Sequence, residues 1–202
     1  MAAEPVVHVI DDDDAARDAL AFLLRTDNWL VHTYDSAKAF LNSAFAAVEC
    51  SCVITDVRMP EMTGLELLCQ LKALGITWPV IVMTGQADVP IAIEAIKSGA
   101  VDFIEKPYNA EVMLGAVRFA LSGGASNARD ARRLETQQKL ATLSAYERRV
   151  LEGLVDGRPN KSIASDLGLN GHIIEVHRAN VMTKMQATSL AHLVRMVLLA
   201  AL

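Results

Sequence analysis

The stretch Val6-Val7-His8-Val9-Ile10-Asp11-Asp12-Asp13-Asp14 joins a short apolar run to four consecutive acids. A continuous apolar run of this length is typical of a strand that is buried on both faces, as in a parallel sheet between helices. The residues that follow, Asp14 to Thr26, repeat apolar side chains at helical spacing. The beginning of the chain therefore predicts a strand, an acidic loop and a helix.

The same alternation of strand and helix continues to residue 121. Five apolar strands, each followed by a helix, predict an α/β fold with a doubly wound, five-stranded parallel sheet. In such a sheet, ligands bind at the carboxyl ends of the strands. The predicted strands after the first are Leu30–Tyr34, Val53–Thr55, Val80–Met83 and Val101–Ile104, and the predicted helices after the first are Ala37–Phe45, Leu65–Leu74, Ile91–Lys97 and Glu111–Leu121.

The composition changes at residues 122–127, which are rich in glycine and serine. We interpret residues 1–122 as one domain and residues 123–139 as a linker that can form a short helix. Residues 140–202 contain no predicted strand and form an all-α domain of four helices, the size of a helix-turn-helix module. The four predicted helices are Ala145–Val155, Lys161–Leu167, Ile173–Met185 and Ser189–Ala200.

The net charge of −5 conceals a difference between the two parts of the chain. Residues 1–122 carry 8 Lys and Arg against 17 Asp and Glu, a balance of −9. Residues 123–202 carry 11 against 7, a balance of +4. The acidic part suits cations or phosphoryl groups and the basic part suits a polyanion, although ordinary surface variation can give the same numbers.

Two protein classes are disfavoured by the sequence. No apolar run approaches the ~20 residues that span a bilayer, and the first five residues lack the features of a signal peptide. We therefore expect a cytoplasmic protein with no membrane partner. The three cysteines, Cys50, Cys52 and Cys69, form no CxxC pair, which argues against a disulfide framework or a zinc site.

Four predicted strands end in a polar or charged side chain: Asp11-Asp12 follow the first, Asp56 the third, Thr84 the fourth and Lys106 the fifth. If these strands are adjacent and parallel, the four ends meet at one edge of the sheet. Clustered carboxylates repel one another, and a hard divalent cation such as Mg²⁺ relieves that repulsion. Asp56 is then a candidate nucleophile for phosphoryl transfer, because Mg²⁺ and Lys106 can neutralise phosphoryl oxygens while the Thr84 hydroxyl donates to one.

The simplest alternative for the acids at residues 11–14 is a solvated turn that caps the following helix, because acids favour helix N-termini. This alternative accounts for Asp13 or Asp14. It does not explain why Asp56 and Lys106 also lie at strand ends. The combination favours a functional site over a turn.

Taken together, Asp11-Asp12, Asp56-Val57-Arg58-Met59-Pro60, Thr84-Gly85 and Lys106-Pro107 resemble the receiver domain of bacterial two-component response regulators. The resemblance covers about residues 5–121 and implies a flavodoxin-like fold. It implies that Asp56 is the phosphoacceptor and that a sensor histidine kinase is the partner. The only catalysis it implies is self-phosphorylation and autodephosphorylation at Asp56, so the chain is not otherwise expected to be an enzyme.

The resemblance also implies a metal site and a switch. Asp12 would bind Mg²⁺ directly, Asp11 would support it, and Asp56 and the backbone carbonyl of Arg58 would complete the protein ligands. Thr84 and Lys106 would hold the phosphoryl group, and the bond before Pro107 would be cis. Phe103 lies where such domains place a switch aromatic, and a plain core phenylalanine is an equal alternative.

Residues 140–202 resemble the output domain of the LuxR/NarL type, and both halves together resemble response regulators of the FixJ type. Spacing alone favours an ordinary amphipathic helix over Ile173–Met185, whereas the resemblance makes it a recognition helix for the major groove. It implies double-stranded DNA and RNA polymerase as partners, and a homodimer on phosphorylation. The residues implied to contact DNA are Lys161, Val176, His177, Arg178, Asn180 and Lys184.

The stretch Asn170-Gly171-His172-Ile173-Ile174 departs from the Ser-Pro-Arg-Thr-Val that is usual in this type of domain. Ile173 cannot form a side-chain hydrogen bond to a phosphate, and Gly171 is expected to loosen the turn. We therefore expect weaker or altered DNA affinity with the fold retained. Tyr146, where arginine is common, is a second and milder departure.

Three functions follow from these observations. The first is a phosphorylation-controlled transcription regulator that binds specific DNA sequences. The second is a signalling adaptor whose receiver works while its degenerate output domain binds protein instead of DNA. A standalone enzyme such as a phosphatase ranks last, because the sequence signals no pocket for an organic substrate.

Overall fold

The computed structural model describes residues 5–43, 51–85, 89–122 and 126–201. The described residues divide into two compact units, one drawn from residues 1–86 and 95–125 and the other from residues 87–94 and 126–202. Cys50 and the end of the predicted helix Ala37–Phe45 lie outside the described residues. No described helix is long and apolar enough to cross a membrane.

The first unit contains five parallel strands in the order β2-β1-β3-β4-β5. This arrangement confirms the predicted α/β fold with a doubly wound parallel sheet. The strands are β1 (Val6–Ile10), β2 (Leu30–Tyr34), β3 (Ser51–Asp56), β4 (Val80–Thr84) and β5 (Asp102–Glu105). The helices that alternate with them along the chain are α1 (Asp14–Thr26), α2 (Ala37–Asn42), α3 (Gly64–Ala73), α4 (Val89–Lys97), of which residues 89–94 are assigned to the second unit, and α5 (Ala110–Leu121).

The three central strands, β1, β3 and β4, are buried along their whole length. Their continuous apolar character is explained by helices on both faces of the sheet. The helices begin where side chains cap them: Asp13 accepts hydrogen bonds from two backbone N–H groups at the start of α1, and Thr63 and Glu66 form a reciprocal capping box at α3. The buried strands and the caps of the following helices therefore define where the loops between them begin and end.

The register of the sheet brings the ends of four strands level with one another. Ile10 is paired with Thr55, Asp56 with Met83, and Thr84 with Glu105. The residues immediately beyond these pairs therefore lie at the same edge. Asp11, Asp56, Thr84 and Lys106 meet there although they come from four separate segments of the chain.

The second unit is helical. Its core is a cluster of buried aliphatic side chains that includes Val150, Leu154, Ile174, Val181 and Leu193. Residues 126–141 form one helix, so most of the segment interpreted as a linker is helical. The helices are α6 (Ser126–Ala141), α7 (Ala145–Val155), α8 (Asn160–Leu167), α9 (Gly171–Met185) and α10 (Leu190–Ala201).

The start of α3 lies so close to the end of β3 that its first residue, Gly64, has no room for a side chain. A Cβ atom at Gly64 would lie 2.1 Å from the carbonyl oxygen of Asp56 and 2.9 Å from Oγ1 of Thr55. The obstacle is backbone, which cannot rotate away as a flexible side chain can. By contrast, a Cβ at Gly115 inside α5 would meet no described atom within 4 Å other than those of its chain neighbours and its own helix backbone.

The variant Gly64→Ala is expected to lower the free energy of unfolding by about 1–3 kcal/mol, because the overpacked contact forces the backbone apart. The matched variant Gly115→Ala is expected to raise it by up to about 1 kcal/mol, since alanine favours a helix interior. Urea unfolding followed by tryptophan fluorescence measures both, because Trp29 and Trp78 lie in the first unit. Equal stability of Gly64→Ala and the parent chain would contradict the conclusion that α3 starts too close to β3 for a side chain at residue 64.

Candidate functional site

Three carboxylates gather at the carboxyl edge of the sheet. Asp11 and Asp12 follow β1 and Asp56 ends β3, and one oxygen from each lies within 4.8 Å of the others. Asp11 and Asp56 are buried while Asp12 is exposed. The site is therefore reached by solvent from the side of Asp12.

Lys106 supplies the positive charge. Its Nζ donates a hydrogen bond of 2.6 Å to Oδ2 of Asp11 and lies 3.5 Å from Oδ1 of Asp56. The peptide bond between Lys106 and Pro107 is cis, and the Lys106 N–H donates to the carbonyl of Thr84 at 2.7 Å. The end of β5 thus delivers an ammonium group between two buried carboxylates.

The electrostatics of Asp56 and Lys106 follow from burial and from their neighbours. Burial raises the pKa of Asp56, and the negative charge of Asp11 raises it further. The positive charge of Lys106 lowers this pKa but does not outweigh the other two effects, so the pKa stays above its usual value. Burial lowers the pKa of Lys106, but hydrogen bonds and negative charge from Asp11 and Asp56 outweigh it and raise that pKa. Lys106 is therefore held as a cation beside carboxylates that repel each other.

The donor set suits a hard cation. Asp56 Oδ1 is buried and, apart from its ion pair with Lys106, has no hydrogen-bond partner among the described residues. Lys106 pairs with Asp11 and Asp56, and Asp12 adds a third carboxylate to the cluster. An all-oxygen set of this kind is what Mg²⁺ prefers. The residues present thus fit a magnesium ion.

Two residues that the sequence did not single out also shape the site. Arg17 on α1 donates a 2.7 Å hydrogen bond from Nη1 to the carbonyl of Asp11, and the Asp13 N–H donates to Asp11 Oδ1 at 3.1 Å. Tyr108 is half-buried close enough to Lys106 and Asp11 for both charges to act on its hydroxyl, whose pKa burial raises. The i, i+6 spacing of Arg17 from Asp11 carries no recognisable signal in the sequence.

The remaining residues predicted for this edge lie in different environments. Thr84 is buried at the end of β4, and Arg58 is exposed in the loop after β3. Phe103, inside β5, is 2 % exposed and belongs to the core in this structure. The structure therefore brings Asp11, Asp12, Asp56 and Lys106 together and shows Phe103 as a buried side chain.

The second candidate region is the helix α9, which begins earlier than predicted. Asn170 caps it by accepting a 2.9 Å hydrogen bond from the Ile173 N–H, so Gly171 and His172 form its first turn. Gly171 is thus a helical residue, and the expectation that it loosens the turn and alters DNA affinity stays a prediction. An asparagine N-cap starts the helix in place of the usual serine.

Most of the residues predicted to contact DNA have solvent-accessible side chains. Val176 is 47 % exposed, Asn180 and Lys161 are exposed, and Arg178 is partly exposed with Nη1 3.9 Å from Glu175. Glu175 in turn accepts a 2.6 Å hydrogen bond from the side chain of Asn160, which links α8 to α9. His177 is partly buried.

Lys184 forms an ion pair within the protein, and its predicted contact with the DNA backbone stays a prediction. Its Nζ donates a 2.7 Å hydrogen bond to Oε2 of the buried Glu147 and lies 3.3 Å from the carbonyl of Thr142. Glu147 also accepts from the Ser144 N–H in the capping box of α7. The Lys184 side chain is nevertheless 39 % exposed, and spacing along α9 alone could not show its ion pair with Glu147.

Comparison with known proteins gives two family matches. The model of the response regulator receiver domain matches residues 7–118, and the model of the bacterial regulatory proteins of the luxR family matches residues 141–197. The chain belongs to the two-component response regulators of the FixJ type. The predicted resemblance is thereby confirmed, with a receiver domain followed by a LuxR-type DNA-binding domain.

Individual relatives agree with this assignment. The transcriptional regulatory protein FixJ of Azorhizobium caulinodans is 52 % identical over 96 % of this chain and 92 % of its own length, and that of Rhizobium meliloti is 49 % identical over 95 % and 94 %. The crystal structure of full-length FixJ from B. japonicum is 43 % identical, covers 98 % of each chain and has a TM-score of 0.54. These relatives are transcriptional regulators and not enzymes, which favours DNA binding over the adaptor and phosphatase hypotheses.

The ion pair of Lys184 with Glu147 generates a prediction for the LuxR-type domain. The pKa of Glu147 is lowered chiefly by its hydrogen bond from Lys184, so the pair stabilises the fold above the ordinary pKa and loses that contribution as the pH falls. Lys184→Met is expected to lower the free energy of unfolding by about 1–3 kcal/mol near pH 7, because a buried carboxylate loses its partner.

The control for this prediction is Lys161→Met, which removes an exposed lysine from α8 and is expected to change stability by less than about 0.5 kcal/mol. Far-ultraviolet circular dichroism and tryptophan fluorescence are recorded together. Both tryptophans lie in the first unit, so a loss of helix signal without a fluorescence change reports unfolding of the LuxR-type domain. Equal effects of the two substitutions at pH 7 would show that the ion pair contributes nothing.

Proposed function

We propose that Asp56 accepts a phosphoryl group from a sensor histidine kinase and that this event controls sequence-specific DNA binding by the LuxR-type domain. The observation that carries the proposal is the buried Asp56 oxygen without a hydrogen bond, next to Lys106 and two further carboxylates. The family supplies the kinase as the donor, and the geometry supplies a nucleophile with its charges in place.

The chemistry assigned to the site is one displacement at phosphorus. An Asp56 carboxylate oxygen attacks the phosphorus, the bond between phosphorus and the kinase histidine breaks, and the histidine keeps the bonding electron pair. Lys106 stabilises the negative charge on the transferring oxygens, and the Thr84 hydroxyl donates a hydrogen bond to one of them. Hydrolysis by water at the same phosphorus would regenerate the Asp56 carboxylate.

Four groups would hold a magnesium ion. Asp12 and Asp56 would bind it through carboxylate oxygens, the Arg58 carbonyl would complete the protein ligands, and Asp11 would support them. When bound, Mg²⁺ neutralises negative charge on the phosphoryl oxygens. Asp11 also keeps Lys106 in position through their 2.6 Å hydrogen bond.

Phosphorylation would act on the fold through Thr84 and Phe103. An acyl phosphate at Asp56 adds negative charge beside the buried Thr84, which moves toward it to donate a hydrogen bond. Phe103, buried on the neighbouring strand β5, would then take up the space that Thr84 leaves. The face formed by α4, β5 and α5 would change and form a homodimer.

DNA binding would use α9 as the recognition helix. Val176, His177 and Asn180 would face the groove, while Lys161, together with Arg178 or Lys184, would contact phosphates. A homodimer of two such modules would bind a two-fold DNA site and act on RNA polymerase there. A protein with this role would work in the cytoplasm, where the chromosome and the kinase output domain are found. The receiver would be residues 1–122, the connector residues 123–139 and the DNA-binding domain residues 140–202.

Magnesium is expected to stabilise the receiver domain through Asp12. At a concentration 100 times the dissociation constant, a bound ion raises the free energy of unfolding by about 2.7 kcal/mol. Asp12→Asn should remove most of that gain, whereas Asp18→Asn, an exposed acid on α1, should retain it. Tryptophan-monitored melting with and without Mg²⁺ measures the gain, and an equal gain in both variants would place the ion elsewhere.

Beryllofluoride, which mimics the acyl phosphate, is expected to strengthen binding to a duplex selected from a random library by roughly 5- to 150-fold. Asp56→Asn should abolish the increase and leave the basal affinity unchanged, because the mimic needs the Asp56 carboxylate. Fluorescence anisotropy of labelled duplex measures both quantities. The proposed switch is wrong if the parent chain and Asp56→Asn bind the duplex with the same affinity, both with and without beryllofluoride.

Lys161 and Asn180 are expected to differ in how they affect DNA binding. Lys161→Ala should weaken binding evenly across sequences and reduce the slope of log affinity against log salt by about 1, as expected for one phosphate contact. Asn180→Ala should cost about 1–3 kcal/mol at one base position and relax the preference there. Titrations over a salt series and on single-base variants of the duplex test this, and unchanged affinity in both variants would remove α9 and α8 from the interface.

A further inference from the structure

The first turn of α7 holds α9 at two points. Glu147 receives the ion pair from Lys184, and its neighbour Tyr146 stacks on His177 with ring centroids 5.8 Å apart and an interplanar angle of 13°. His177 and Lys184 are seven residues apart and therefore lie on the same side of α9. Two consecutive side chains of α7 thus contact the proposed recognition helix on one side, at two points about two turns apart.

The Tyr146 ring is available for a functional role because it is not part of the core. Tyr146 is 51 % exposed, whereas the neighbouring Glu147 is buried. Because the ring is half-exposed, it contributes little to the stability of the core, but its stack on the partly buried histidine can fix the orientation of the imidazole ring.

The environment of His177 decides which ring nitrogen can face outward as a donor. Nδ1 is buried and has no hydrogen-bond partner among the described residues. A proton on Nδ1 would be a desolvated donor without an acceptor, whereas a lone pair there is less costly because no N–H is left unpaired. The tautomer with its proton on Nε2 is therefore favoured.

We propose that Tyr146 is a positioning residue that holds the His177 ring so that its Nε2–H donates to an acceptor on the DNA. The partner is the edge of a base in the major groove, where guanine N7 and O6 and thymine O4 accept hydrogen bonds. His177 lies on the same helix as Val176 and Asn180, one and three residues away, so its ring borders the surface assigned to base contacts. This inference rests on the proposed use of α9 for DNA binding.

The test compares Tyr146→Ala, Tyr146→Phe, His177→Ala and the double variant Tyr146→Ala with His177→Ala. It uses the full chain with beryllofluoride and measures affinity for the selected duplex and for an unrelated duplex. Tyr146→Ala is expected to weaken binding to the selected duplex by roughly two- to tenfold, the range of one lost aromatic stack, and to leave the unrelated duplex unaffected. Tyr146→Phe keeps the ring and should bind like the parent chain.

The double variant separates positioning from direct contact. If Tyr146 acts through His177, adding Tyr146→Ala to His177→Ala should cause no further loss. An undiminished further loss, or a loss in Tyr146→Phe equal to that in Tyr146→Ala, would show that the tyrosine or its hydroxyl contacts DNA itself and would overturn the proposal.

A second readout follows the tautomer directly. ¹⁵N NMR of the histidine side chains distinguishes a proton on Nε2 from one on Nδ1, and His177 is expected to be protonated at Nε2 in the parent chain and to exchange between tautomers in Tyr146→Ala. A mixture of tautomers in the parent chain would contradict the inference. If Asn180→Ala still alters sequence preference while Tyr146→Ala does nothing, the positioning role fails and the proposed recognition helix stands; if no variant on α9 affects binding, the recognition helix itself is wrong.

Discussion

The parallel register of β1, β3, β4 and β5 is the constraint from which the receiver site follows. Each strand carries its polar residue at or just beyond its end, and pairing in register brings those residues to one edge. The same edge requires Gly64, because α3 starts so close to β3 that a Cβ there would meet the Asp56 carbonyl. Sheet pairing and helix packing therefore jointly fix where Asp56 can be.

The site formed at this edge is electrostatically incomplete. Two buried carboxylates share the Lys106 ammonium group, an exposed third carboxylate lies beside them, and one oxygen of Asp56 has no hydrogen-bond partner among the described residues. Burial and the negative charge of Asp11 raise the pKa of Asp56, so its ionised form is destabilised. An additional positive charge nearby would stabilise that ionised form. An arrangement of this kind responds strongly to a cation or to a phosphoryl group, as a switch requires.

The DNA-binding domain uses a different principle, in which a neighbouring helix restrains the functional one. Two adjacent residues at the start of α7 hold His177 and Lys184 on α9, one by ring stacking and the other by a buried ion pair. The central exposed positions, Val176 and Asn180, are left open. Lys184, which the resemblance assigned to DNA, thus also pairs with a buried carboxylate at the start of α7.

Local patterns in the sequence determined the element types, the order of the β/α units and the residues at the strand ends, because strand and helix periodicities and caps depend on neighbouring residues. Motifs at Asp56 and Lys106 were sufficient to identify the receiver, and all four charged residues expected at the edge of its sheet lie there. Only the tertiary structure decided that Lys184 pairs with Glu147, that Tyr146 stacks on His177 and that Gly64 must lack a side chain. Each of these depends on atoms brought together from separate elements at distances of a few ångströms, and a change of one helix's orientation would alter them without changing any periodicity in the chain.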